Sequence, residues 1–112
     1  MKRKVVNIDM SDSTYRSCSM SNEILMVSID TWDKKEINIT FTGVIQFVYK
    51  LGYVPEGIYE NQEKNDFFEE ALQLCYEQIP QGHPYKLYEI IDRDDFPFFS
   101  IVAEKVEVIK NL

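Results

Sequence analysis

Hydrophobic and polar residues alternate most clearly in the stretch from Lys35 to Leu51. Ile37, Ile39 and Phe41 are set against Glu36, Asn38 and Thr40, which is the period of a strand with one buried face. After Thr42-Gly43 the alternation resumes with Ile45, Phe47, Tyr49 and Leu51. A glycine inside strand pattern marks a bulge or a sharp bend, so one long kinked strand and two consecutive strands fit equally well. Upstream, residues 4–10 (KVVNIDM) predict a short strand, and the Ser- and Asp-rich run Ser11–Asn22 predicts a loop. Glu23–Asp30 predicts a second strand, apolar on both sides at its middle, as expected of a central strand covered on both faces. Its hairpin-length link through Trp32 to the Ile37 strand predicts antiparallel pairing.

A helix is predicted over about 66–79. Asp66 serves as N-cap with Glu69 three residues on, and Phe68, Ala71, Leu72, Cys75 and Ile79 form an apolar stripe at helical period. Glu69, Glu70, Gln73 and Glu77 occupy much of the other side, and Pro80-Gln81-Gly82 stops it. Gly57–Glu60 and Tyr85–Ile91 read as strands, Asp92–Pro97 as a turn, and Phe98–Ile109 as a final long strand. The whole predicts one α+β domain over residues 1–112. Its expected architecture is a mainly antiparallel sheet of about five to seven strands with one packed amphipathic helix.

Composition narrows the function classes. At 112 residues and 45% hydrophobic, the chain suits one folded domain with its own core. A net charge of −7 argues against nucleic acid, whose phosphates require clustered cations. The charge is uneven: residues 1–52 carry a net of +1 and residues 53–112 a net of −8. The basic start Lys2-Arg3-Lys4 lacks the apolar run of about 7–15 residues that follows it in a signal peptide, and no window approaches a membrane span of about 18 apolar residues. Cys18 and Cys75, without CxxC spacing, are expected to be free thiols in a cytoplasmic protein.

Catalytic and metal chemistry find little support. His83 is the single histidine, and a general base needs a nucleophile or an orienting carboxylate beside it. Cys75 lies on the predicted buried stripe, where a thiol behaves as a small hydrophobe. Asp92, Asp94 and Asp95 lack the glycine and distal glutamate of a calcium loop, and carboxylates in a tight turn commonly cap backbone amides. The scattered glycines form no phosphate cradle, and no cofactor motif is present.

The second half sets several tyrosines among its acids, an arrangement suited to gripping a basic protein. The same rings would serve as core in a small β-rich domain, and both readings stay open. Candidate partner contacts are Glu69, Glu70 and Glu77 on the helix, Asp92, Asp94 and Asp95 in the turn, and Tyr53 and Tyr59.

The run from Ile37 to Phe47, the helix, Tyr85-Lys86-Leu87-Tyr88-Glu89-Ile90 and the closing Ile101–Val108 strand together resemble small acidic Bacillus-type proteins. These are of uncharacterised or immunity type and are associated with polymorphic toxins. The resemblance implies a cytosolic, non-enzymatic protein that binds and blocks a toxin domain from the same cell, and it carries no functional residue onto a numbered position. Two other readings stand beside it. One is a small-ligand binder or enzyme with a pocket between helix and sheet using His83 and Tyr85; the other is a structural homodimer joined at a sheet edge.

Overall fold

The computed structural model describes residues 2–111 except 7–9, 11, 52, 53, 64 and 93, with Lys110 and Asn111 described by backbone alone. Nine strands and one helix follow in the order β1 (Lys2–Lys4), β2 (Thr14–Ser21), β3 (Ile24–Asp30), β4 (Glu36–Thr42), β5 (Gln46–Tyr49), β6 (Pro55–Asn61), α1 (Asp66–Cys75), β7 (Lys86–Asp92), β8 (Pro97–Ala103) and β9 (Lys105–Asn111) among the described residues. All pairings are antiparallel, in two sheets ordered β1-β6-β7-β8-β5 and β2-β3-β4-β9. The α+β class with one packed helix stands. The expected single sheet of five to seven strands does not, because a period of two says which residues face inward but not which sheet a strand joins.

The bend at Gly43 creates the second sheet. β4 pairs with β9 along its whole length and β5 pairs with β8, while only Glu104 separates β8 from β9. The two long strands therefore form one ribbon that leaves one sheet and enters the other. Between the pairs Thr42↔Lys105 and Gln46↔Val102 one strand carries an extra residue, which is a bulge and bends the ribbon. Gly43 sits there with φ +72°, and a Cβ on it would lie 2.6 Å from Cγ of Glu104. Backbone bonds from Val44 N–H to Glu23 O (2.9 Å), Glu104 N–H to Thr42 O (2.9 Å) and Ile45 N–H to Val102 O (3.0 Å) hold the corner.

The two sheets close on a shared core. Leu25, Val27, Ile29, Ile37, Ile39 and Phe41 from one meet Ile58, Tyr88, Ile90, Phe99 and Ile101 from the other. The outer face of the five-stranded sheet is covered by α1, where Ala71 packs with Leu87, Val102, Ile45 and Tyr85. β3 is central in its sheet, but the expectation that both its faces are covered fails. Ile24 and Met26 remain 44% and 38% exposed, since no layer of the described residues lies on that side. The predicted Ser11–Asn22 loop contains strand β2, whose Tyr15 and Cys18 reach the core while its serines face outward. Residues 7–9 of the predicted first strand lie outside the described residues, and β1 begins earlier, at Lys2.

Helix α1 departs from its forecast at both ends. Asn65, not Asp66, is the N-cap, its side-chain oxygen accepting from Phe68 N–H. The helix ends at Cys75 rather than Ile79. Tyr76 is already extended, and the residue before Pro80 is biased against helix in any case. Cys75 is accordingly exposed rather than part of the buried stripe. None of the described helices is long and apolar enough to cross a membrane.

The corner yields a stability prediction. Gly43→Ala should lower unfolding free energy by about 1–3 kcal/mol in urea titration, from the left-handed backbone and the clash together. Adding Glu104→Ala should restore only the steric part. Gly82→Ala, where a Cβ would meet nothing within 4 Å, should change stability by less than about 0.5 kcal/mol.

Candidate protein-interaction surface

The charge imbalance read from sequence is partly resolved inside the molecule. Lys2 and Arg3 alternate on edge strand β1 and therefore project to opposite faces of the five-stranded sheet. Lys2 Nζ lies 3.0 Å from Oε1 of buried Glu89 on one face, where Asn61 Nδ2 also donates to it at 3.3 Å. Arg3 donates to Oε1 of buried Glu60 at 2.8 Å on the other. A buried carboxylate without such a partner would be costly, so the basic N-terminus serves as internal counter-charge for the acidic half.

Asp92 is also internal. It is 5% exposed, and its Oδ1 accepts from the backbone N–H of Asp94 (2.9 Å) and of Phe96 (3.0 Å). Asp94 and Asp95 are the exposed acids of that turn, Asp95 with a left-handed φ of +64°. His83 is a turn residue: its Nδ1 accepts from Tyr85 N–H at 3.2 Å, and its ring meets Phe68 edge-on and stacks with Tyr85. No group of three or more His, Cys, Asp or Glu side chains suited to a metal occurs among the described residues. Tyr53 lies outside the described residues, and Tyr59 is half-buried in β6.

Acidic charge remains outward on α1. Asp66, Glu70 and Glu77 are exposed and Glu69 is half-buried, with no basic residue in the last turn. Glu77, just beyond the C-terminus, sits at the negative end of the helix dipole, where a cation would be favoured. Leu74 stands 68% exposed among these acids, four residues after Glu70 and so on the same face. Leaving a leucine in water forgoes about 1.5–3 kcal/mol that burial would supply. The helix packs near the start of β7 and the Asp94-Asp95 turn follows its end, about 20 Å away along the strand. The two acidic groups are thus separate patches.

Leu51, Trp32 and Leu74 are the most exposed large apolar side chains among the described residues. Leu74 falls off the predicted stripe, which was itself the available signal. Trp32, 73% exposed at the β3–β4 hairpin tip, lies where the sequence pattern gives only a connection. The tyrosines divide between roles. Tyr88 is buried against Phe41, Tyr15 joins Tyr49, Phe98 and Phe99 in an aromatic cluster, and Tyr85 packs beneath the helix. No protein family, curated protein or solved structure matches the chain.

Burial raises the phenol of Tyr15, helped by the Cys18 thiol, and raises those of Tyr85 and Tyr88, the last also through the charge of Glu60. The neutral phenol is thus favoured in the folded state. The resulting stability is fully present below the ordinary tyrosine value of 10.0 and is lost as pH climbs from there through the folded-state values. Phenolate absorbance should therefore rise in two phases, the later one coinciding with loss of the folded circular dichroism signal. A single phase complete before any unfolding would contradict this.

Proposed function

We propose that the protein is a non-enzymatic binding module that engages a basic protein through the outer face of α1. The observation that carries this reading is Leu74, left in water on an acidic helix face. It offers an apolar contact ringed by charge that attracts a cationic surface and sets its on-rate. In its sharper form the module is an immunity-like inhibitor that blocks a basic toxin domain made in the same cell, as the resemblance of its strand pattern implies. Glu70, Glu77 and Leu74 form the centre of the contact, with Glu69 beside them. Asp94 and Asp95 join the footprint where the partner reaches across about 20 Å, a span within a standard interface of about 800 Å² per partner.

A second reading, the homodimer, draws on the open side of the four-stranded sheet. Ile24, Met26 and Ile109 are exposed there, and β2 and β9 are its free edges.

Affinity capture from the native host's lysate at low and high salt tests the first reading. One stoichiometric basic protein should be retained, less so as salt rises. With that protein purified, Glu70→Lys/Glu77→Lys and Leu74→Ala should each weaken affinity at least about tenfold, and co-expression should suppress any toxicity it shows. Unchanged affinity in both variants would remove the helix face from the interface. Light scattering tests the second reading: a mass of twice 13.2 kDa that falls to the monomer on Met26→Lys would favour the dimer.

A further inference from the structure

Among the described residues, β1 and β5 border one sheet and β2 and β9 the other. An open edge presents unpaired N–H and C=O groups and accepts another strand unless charge, shortness or a bulge blunts it. Three of the four are blunted. β1 is three residues long and wholly basic, Lys2-Arg3-Lys4. β5 has four residues and runs into Lys50. β9 carries Lys105, Glu107 and Lys110.

β2 is different. It has eight residues, and its single charge, Arg16, sits at a bulge between Tyr15 and Ser17. That guanidinium lies 3.7 Å from Asp30 and 3.3 Å from Glu36 of its own sheet. Past the bulge, Ser17-Cys18-Ser19-Met20-Ser21 keeps unbroken register with β3 and contains no charge, proline or glycine.

This segment has the same pattern in both directions. Ser17, Ser19 and Ser21 pair with Ser28, Met26 and Ile24 on the outer face. Cys18 and Met20 pair with the fully buried Val27 and Leu25, and so belong to the inner face. Met20 is nevertheless 43% exposed and Cys18 half-buried, since no strand of the described residues lies beyond them. An antiparallel copy centred on Ser19 sets serine against serine on the outer face. On the inner face it sets Cys18 against the partner's Met20, covering the apolar side chain that the edge leaves in water. Charge does not oppose the contact. β2, β3 and β4 come from residues 1–52, with a net of +1, whereas residues 53–112 carry the −8 that would repel a second copy.

Resting on the homodimer reading, we propose that two copies of the chain pair antiparallel through residues 17–21 of β2, about a two-fold axis at Ser19. The two four-stranded sheets then form one continuous sheet, and the contact lies at the β2 edge instead of on the open face. Helix α1 covers the other sheet, so its outer face stays free for a basic partner.

Light scattering over a dilution series from about 1 mM should give a mass of twice 13.2 kDa at the upper end. Ser19→Lys sets like charges directly opposite across the axis. It should raise the dissociation constant at least about tenfold with an unchanged circular dichroism spectrum, while Met26→Lys on the open face should change it less than about threefold. In a Cys75→Ala background, Ser19→Cys should form an intermolecular disulfide under mild oxidation. Opposite residues of an antiparallel pair lie about 4.5–5.5 Å apart, within the span of a disulfide. Ser17→Cys, also exposed on the same face, should stay unlinked, because its own copy lies about 13 Å away along the strand. A monomer at every concentration would overturn both this pairing and the homodimer reading. A dimer that Met26→Lys dissociates while Ser19→Cys stays unlinked would keep the homodimer and overturn the β2 pairing, as would equal linking of Ser17→Cys and Ser19→Cys.

Discussion

One bent pair of strands, hydrogen-bonded on both sides of the Gly43 corner, ties the two sheets together. β4 with β5 and β8 with β9 remain hydrogen-bonded to each other on both sides of the corner, so neither sheet can form without placing strands of the other. Only a residue without a Cβ fits the crossing, because Gly43 adopts a left-handed backbone against the Glu104 side chain. Because the corner folds the ribbon back on itself, alternate residues of both arms point into the same interior. Phe41 and Ile39 from one arm thereby share a core with Phe99 and Ile101 from the other.

Around that ribbon, burial of charge is arranged by an edge strand of three residues. Lys2 and Arg3 serve opposite faces of one sheet, each facing a carboxylate that the interior would not otherwise tolerate. The same alternation turns Lys4 back to the face of Lys2. The chain's acidity is therefore not spread evenly over its surface. It is withdrawn inside at Glu60, Glu89 and Asp92 and concentrated on α1.

β7 is covered by the helix on one face and by the interior on the other. Its residues are nearly all buried, which makes it a rigid support for the helix. An acidic face with an apolar centre suits a protein partner.

Local periods are written along the chain. The alternation of Ile37, Ile39 and Phe41, the break at Gly43, the helix around Ala71 and Leu72, and the turn at Asp92–Pro97 were all legible, because each is a local consequence of side-chain spacing or backbone freedom. Strand β2 was not legible, since its outward serines resemble a loop until β3 supplies the partner that makes them one face of a sheet. The acids of the candidate surface could be named, yet Asp92 could not be told from Asp94, because capping a turn inward and facing solvent call for the same residue type. Which strands share a sheet and which acids are neutralised by Lys2 and Arg3 follow from tertiary contacts. They depend on contacts between residues far apart in the chain, and a one-dimensional pattern records no such distances.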